Sequence, residues 1–305
     1  MTPATPPAPK FPLIHLRLNL LILSAIFGFF ITLPAHPFVS LSKPAVKAAF
    51  TRTPPIPRSR SLPLPRITAS AVFIIDLSSQ STLFAKQPNT RLRPASLTKI
   101  MTALVALDYY NPSSLLSVNS GSLSRGAKAE LVKGDLITAK DALYALLVPS
   151  GNDAAVTLAE NYPGGYQKFV AQMNAKAVSA GLANTHFANV SGVDSPLHYT
   201  SAFDIAMLAK LALDRPLLKS IFATRKITLK SDKGHIYPLV STNLLLEKPG
   251  VLGVKTGWTP EAGECLVTFV ERNGHPILIS LLGSKNRFDE TEKLINWVYS
   301  NFSWE

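Results

Sequence analysis

From Ile67 onward the chain alternates short apolar runs with turn signals, and the period of the runs changes along the way. Residues 71–76 (AVFIID) and 82–86 (TLFAK), separated by Leu77-Ser-Ser-Gln-Ser81, predict a β-hairpin. Residues 96–109 predict a buried helix, and 140–160 predict two helices broken at Pro149-Ser-Gly151. Helical periodicity returns in 166–180 and 201–213, whereas 225–240 reads as a hairpin turning at Asp232-Lys-Gly234. The apolar run Val251-Leu-Gly-Val254 reads as a strand, and 265–271 and 276–283 flank Asn273-Gly274, a strong hairpin signal. Residues 289–302 place Leu294, Ile295, Val298 and Phe302 on one helical face. Strands at both ends with helices between them predict an α/β (α+β) domain: a mixed sheet in which the two ends of the domain meet, carrying a helical insert. No internal repeat is present.

Before Ile67 the texture differs. Residues 18–33 (LNLLILSAIFGFFITL) are free of charge and follow Lys10, His15 and Arg17, the pattern of an export signal or signal anchor, so residues 1–33 are assigned to one of these. Extended back to Leu13 with Arg17 snorkelling, the run reaches 21 residues, about the length that spans a bilayer, and an uncleaved anchor is the expectation. Residues 34–66 are rich in proline and basic side chains, a composition expected to form an extended tether holding the domain 67–305 away from a membrane.

Charge and cysteine content narrow the function classes. The formal charge is +12, but residues 1–66 hold eight Lys/Arg and no Asp or Glu, which leaves 23 basic against 19 acidic residues, or +4, over the remaining 239. No basic helix or interleaved aromatic run suits a phosphate backbone, so nucleic-acid binding is not expected. Cys265 is the only cysteine, which excludes an intrachain disulfide and two-cysteine metal or redox motifs, and its apolar context predicts core packing. The six histidines show no ligand spacing, so a structural metal has no support.

Three short motifs carry the chemistry: Ser96-Leu-Thr-Lys99, Ser150-Gly-Asn152 and Lys255-Thr-Gly257. A serine hydroxyl is a poor nucleophile until a base takes its proton. Three residues apart on a helix, Ser96 and Lys99 share a face. Burial beside Ile100-Met-Thr-Ala-Leu104 and a second cation, Lys255, would lower the Lys99 pKa so that it can act as that base. Pro94 favours a bent entry that leaves Ser96 at the helix start, where free N–H groups suit an oxyanion hole. Ser150 and Asn152 fall at the break between two helices, where a hydroxyl and an amide can project into a cleft. Gly257 allows close approach of a ligand to the backbone, with Lys255 and Thr256 beside it to meet a carboxylate. A second Ser-x-x-Lys (Ser40 to Lys43) lies in a proline-rich stretch, and a second Ser-x-Asn (Ser241 to Asn243) comes only 14 residues before Lys255, so both are set aside.

Taken together, residues 67–305 resemble the low-molecular-mass penicillin-binding proteins, specifically the serine D-alanyl-D-alanine carboxypeptidases. The likeness extends through Pro94-Ala-Ser-Leu-Thr-Lys-Ile-Met-Thr-Ala103, Leu147-Val-Pro-Ser-Gly-Asn-Asp-Ala-Ala155 and Asn189-Val-Ser-Gly-Val-Asp194, leading to His198 and Asp204. The resemblance implies a helix-flanked antiparallel sheet with a mostly helical subdomain. It also implies catalytic roles for Ser96 (nucleophile), Lys99 (base), Ser150 (proton relay) and Asn152 (donor to the substrate amide). Lys255, Thr256, Gly257 and Trp258 would bind substrate, with Arg287 helping to hold its terminal carboxylate. Backbone N–H groups of Ser96 and Trp258 would form the oxyanion hole. The implied substrates are peptidoglycan stem peptides, with β-lactams as inhibitors, acted on at the extracytoplasmic face of the cell membrane without a cofactor.

Many such proteins continue into a C-terminal β-domain and an amphipathic anchor. This sequence ends at Glu305 just after the final predicted helix, so anchoring is expected to fall to the N-terminus. Trp258 is a bulky choice after the third motif and is expected to narrow the cleft. A class A β-lactamase would need a Glu-x-x-Leu-Asn loop between the second and third motifs, and the nearest match, Glu292-Lys-Leu-Ile-Asn296, lies after the third. An endopeptidase cutting crosslinks would use the same residues, and a non-catalytic β-lactam sensor is the reading from a different class.

Overall fold

The computed structural model describes residues 54–120 and 126–305, all within the second of the two compact units into which the chain divides, Arg52–Glu305. The expected signal anchor, most of the tether and the Ser40–Lys43 pair lie outside the described residues.

A five-stranded sheet organises the domain. Strands β2 (Ala71–Asp76) and β3 (Thr82–Lys86) form the first hairpin, and β8 (Val251–Thr259), β9 (Gly263–Arg272) and β10 (His275–Ser284) close it in the order β3-β2-β10-β9-β8. Every pairing in it is antiparallel, including the non-local β2–β10 ladder that sets Ile74 opposite Ile279. The mixed sheet expected from the apolar pattern is therefore corrected, because the helices form one insert between β3 and β8 rather than parallel crossovers. Both faces of the sheet are covered. Along β2 the side chains alternate: Ala71, Phe73 and Ile75 enter the core shared with most of the helices, and Val72 and Ile74 enter the core under α7 (Arg287–Asn301). Leu294, Ile295 and Val298 of α7 are buried against the sheet, each worth about 1.5–3 kcal/mol of transfer free energy as an upper estimate.

The insert packs around α1 (Lys99–Tyr109), whose first eight residues are all buried. Helices α2 (Ala139–Leu147) and α3 (Asn152–Glu160) flank the break at Pro149-Ser-Gly151, followed by α4 (Gly165–Ser179), α5 (Ala202–Leu213) and α6 (Pro216–Phe222). The hairpin β6 (Lys226–Lys230) and β7 (Ile236–Val240) forms where Asp232-Lys-Gly234 predicts its turn. Two elements escaped the periodicity reading because each is under two turns or three residues per strand: α6, which starts on Pro216, and the small β4 (Leu115–Ser117)–β5 (Leu136–Thr138) pair. No helix among the described residues is long and apolar enough to cross a membrane.

The end of the predicted tether is not free. Strand β1 (Arg58–Ser59) pairs with β11 (Phe302–Ser303), and Leu62 N–H donates to Asn301 Oδ1 at 2.7 Å while Trp297 Nε1 donates to Leu62 O at 3.2 Å. Ordered structure thus begins ahead of Ile67, because the backbone groups of 58–62 find partners on the last turn of α7.

Candidate active site

All three motifs meet at one cleft between the insert and the edge strand β8. It encloses about 550 Å³ and is lined by Ser96, Ser150, Asn152, Thr256, Gly257, Trp258 and Arg287, among others. Lys99 and Lys255 lie buried behind this lining.

Ser96 sits in a 3₁₀ turn, Ala95–Thr98, that runs directly into α1. Ala95 holds a left-handed φ of 47°, the bend that Pro94 predicted. Thr98 Oγ1 donates to Ala95 O at 2.8 Å and lies 2.7 Å from His198 Nε2, while His198 Nδ1 accepts the Ala188 N–H at 3.0 Å. These partners assign the neutral Nε2–H tautomer. Burial, reinforced by His186 and Arg93, lowers the His198 pKa to about 4, so the imidazole stays neutral at working pH. On the other side, a Cβ on Gly192 would stand 1.8 Å from Ala95 O, so only glycine lets the 189–194 segment close on the nucleophile turn. Asn189 shapes that segment: its Oδ1 accepts from the N–H groups of Ser191, Gly192 and Val193.

Lys99 is fully buried. Its Nζ is 2.9 Å from Ser96 Oγ, 2.7 Å from Asn152 Oδ1 and 2.9 Å from Ser191 O. Burial holds its pKa well below the usual lysine value, Lys255 pushes in the same direction, and Asp153 opposes them. The amide and carbonyl oxygens can only accept. A neutral amine spends its two N–H groups on them and aims its lone pair at the serine hydroxyl.

Asn152 opens α3, and Ser150, two residues before it, is buried at the cleft wall with a left-handed φ of 67°. A non-glycine residue there is strained, which fits a side chain held for function. The buried carboxylate of Asp153 accepts from the N–H groups of Ala129 and Leu131, tying the loop that brings Gly126 and Ala127 to the cleft. Sequence reading gave Asp153 no role, and its signal, an acid in the first turn of a helix, is shared by ordinary caps.

On the sheet side, Lys255 is 1% exposed and reaches Thr256 O at 3.1 Å. Burial and the nearby Arg287 bring its pKa down to about 7. Thr256 Oγ1 lies 2.6 Å from Thr242 Oγ1, and Thr242 also lines the cleft. This residue was missed. It is the middle of the discounted Ser241-Thr-Asn243, in which Ser241 and Asn243 only serve local turns: Ser241 Oγ accepts Asn243 N–H, and Asn243 Oδ1 accepts Leu245 N–H. Arg287, the first residue of α7, donates from Nη1 to Gly257 O at 3.1 Å and sits 3.9 Å from Glu264 Oε1. Trp258 is 59% exposed at the mouth. Cys265 is buried in β9 with its thiol pushed up to about 11 by burial, which makes it an inert core residue. Asp204, conspicuous in the sequence, accepts from Asn184 N–H and Thr185 Oγ1 and supports structure away from the cleft lining.

A buried lysine facing a serine on one wall and a lysine, threonine and arginine on the other define a serine acyl-transferase of the penicillin-interacting class. Residues 58–286 match the Peptidase_S11 family, D-alanyl-D-alanine carboxypeptidase, and the chain belongs to this family. It is 33% identical over 245 residues to D-alanyl-D-alanine carboxypeptidase DacF of Bacillus subtilis (strain 168), covering 77% of this chain and 63% of that protein. It is also 33% identical over 272 residues to a D-alanyl-D-alanine endopeptidase of Pseudomonas aeruginosa, covering 86% of each chain. The crystal structure of the Streptomyces K15 DD-transpeptidase superposes with a TM-score of 0.75 at 31% identity, over 78% of this chain and all of the other. The likeness confirms the helix-flanked antiparallel sheet with its helical insert.

Proposed function

We propose that this chain is a serine D-Ala-D-Ala carboxypeptidase that removes the terminal D-alanine of peptidoglycan stem peptides through an acyl-enzyme on Ser96. The observation that carries the reading is the geometry of Lys99, whose only partner among the described residues able to give up a proton is Ser96. Ser96 Oγ attacks the carbonyl carbon of the penultimate D-alanine and its proton passes to Lys99 Nζ. The oxyanion develops toward the N–H groups of Ser96 and Trp258, a pairing supported by the contact of Gly257 with Ser96 N, 3.1 Å from an ideal Cβ on that glycine. As the C–N bond breaks, the leaving amine takes the proton from Lys99 by way of Ser150. Water then attacks the ester, Lys99 accepts its proton, and Ser96 departs with that proton restored. Asn152 positions the substrate amide, and Lys255, Thr256 and Arg287 meet the terminal carboxylate. β-Lactams, which present an acylating carbonyl beside a carboxylate, acylate the same serine and inhibit.

The reaction takes place on the wall side of the membrane, with residues 1–33 as anchor or export signal, a reading supported by the charge-free run 18–33. An endopeptidase differs only in which amine leaves, and the Pseudomonas relative favours keeping it as the second reading. The test is to incubate the full-length protein with a Lys-D-Ala-D-Ala peptide and with crosslinked dimers, assaying free D-alanine and monomer, with Ser96→Ala as control. D-Alanine release lost in the variant supports the carboxypeptidase. Monomer alone would replace it with the endopeptidase, and penicillin uptake without either product would replace it with a sensor.

A further inference from the structure

A second cavity, of about 380 Å³, shares no lining residue with the catalytic cleft. Arg91, Arg93, His198, Tyr199, Glu261 and Ser70 are among the residues that line it. It reaches the nucleophile turn from behind. His198 Nε2 lies 2.7 Å from Thr98 Oγ1, and Arg93 is followed directly by Pro94-Ala95-Ser96. Glu261 comes from the turn that joins β8 to β9, just past the third motif. The cavity therefore touches the supports of both catalytic walls and none of the reacting groups.

Two guanidinium groups serve this cavity. Leu92 and Thr200 pair through both backbone bonds, at 2.8 Å and 2.9 Å, and on that extended stretch Arg91 and Arg93 fall on one face. Arg91 is exposed and stacks over Tyr199, with Cζ 4.8 Å from the ring centroid. It gives only long hydrogen bonds, from Nε to Asn184 Oδ1 at 3.3 Å and from Nη2 to Ala183 O at 3.4 Å, and its Nη1 has no acceptor among the described residues. Stacking fixes the plane of this fork and leaves its edge free. Arg93 holds Glu261 Oε2 at 2.8 Å from Nε and donates from Nη1 to Ser195 O. Glu261 is the only carboxylate among the described residues of the lining, and burial keeps the His198 imidazole neutral. The lining is thus left with a positive charge that nothing in it balances.

We infer that this rear cavity binds a small phosphate ester, its oxygens held between Arg91 and Arg93, and that its occupancy slows acylation of Ser96. A planar carboxylate is satisfied by one guanidinium fork, whereas a tetrahedral phosphate offers oxygens to two forks on separate residues. The Ser70 hydroxyl, bonded to Gly283 O at 3.3 Å, can turn to the same group. The cavity is larger than a bare ion fills, so an ester with an uncharged body suits it. Coupling to the chemistry runs through the Arg93–Glu261 pair, which ties the segment entering the nucleophile turn to the turn beyond the third motif. A phosphate on Arg93 competes with Glu261 for that guanidinium and slackens the tie.

The test is calorimetric titration of the full-length protein with glycerol 3-phosphate at constant low ionic strength, where a Kd of about 0.1–1 mM is expected. Glycerophosphoglycerol, titrated alongside, carries the diester of a lipid headgroup, and the tighter of the two names the source of the phosphate. Arg91→Ala should weaken binding about fivefold to tenfold, and Glu261→Gln, which releases Arg93, should tighten it about twofold to fivefold. Without ligand, Glu261→Gln should slow acylation of Ser96 by labelled penicillin about twofold to fivefold, the same factor that saturating glycerol 3-phosphate produces on the native chain. Sulfate should displace the ester from the native chain and acetate should not, which keeps a test in hand if a variant does not fold. No binding below ~10 mM, displacement by acetate as strong as by sulfate, or equal affinity in Arg91→Ala overturns the site. Binding lost once penicillin occupies Ser96 would put the ligand in the catalytic cleft and overturn it too. Binding that leaves acylation unchanged overturns the coupling. The titration needs no turnover, so its outcome is separate from whether D-alanine is released.

Discussion

The two walls of the cleft are built on different principles. On the helical wall the reactive groups are over-determined: Lys99 is fully buried with three partners within 2.9 Å, and the nucleophile turn is held from below by Thr98 and His198. On the sheet wall the groups sit along an edge strand, and exposure grows outward from Lys255 at 1% to Trp258 at 59%. Reactivity needs a displaced pKa and a fixed angle, which only burial and redundant hydrogen bonds supply. Binding needs access, so charge and apolar area can be graded along a strand whose outer edge is free to meet a peptide. The two walls should therefore fail differently when altered.

The sharpest break is on the helical wall. On the proposed mechanism Lys99→Met removes the base, together with the hydrogen bonds Nζ gives to Asn152 Oδ1 and Ser191 O, and acylation of Ser96 by labelled penicillin should slow by about 10²–10⁴-fold. On the sheet wall, Lys255→Ala should act chiefly through KM, raising it about tenfold to a hundredfold with a smaller change in kcat. If kcat carried the larger share instead, Lys255 would belong with the reactive wall.

pH sharpens the same contrast. On the proposed mechanism Lys99 works as the neutral amine, and its pKa is lowered, so activity should rise as pH climbs through that lowered value. On the same mechanism Lys255 works as the cation, and its pKa is brought down to about 7, so kcat/KM should fall above about pH 7 as that charge is lost. Because Lys255 also pushes the Lys99 pKa down, the charge on Lys255 influences the acid limb as well. Lys255→Arg, which stays charged, should flatten the alkaline limb in a pH–rate profile while leaving the acid limb in place.

The smallest effect lies away from the cleft. Deleting residues 1–66 removes the β1–β11 pairing and the hydrogen bonds of Arg60 N–H and Leu62 N–H, each worth about 1 kcal/mol net. Thermal unfolding of 67–305 should then begin about 4–8 °C lower, with kcat/KM at 25 °C nearly unchanged. An unaltered Tm would mean that these contacts are no stronger than the solvation they replace.

Much of the site was legible because its chemistry is local. Ser96 and Lys99 are one helical turn apart, Ser150 and Asn152 lie at a helix break that proline and glycine announce, and Lys255, Thr256 and Gly257 are consecutive on a strand. Each of these spacings has a direct geometric meaning. Thr242 had none, because its role exists only through a 2.6 Å contact with a residue 14 positions away on another element. His198 and Asp153 were opaque for the same reason: a buried network is defined by who else arrives there.

The sequence alone determined the longer elements of the domain, the three motifs and the chemistry they could support, since periodicity, turn residues and short spacings act within one element at a time. It also determined the buried character of Lys99 and Cys265, through the apolar runs around them. Only the tertiary structure decided the strand order and register of the sheet, that residues 58–62 belong to the domain, and that Asp194 and Trp258 both line the cleft. These depend on long-range pairings in which many partners of similar composition compete, and the packing of the whole core selects one of them.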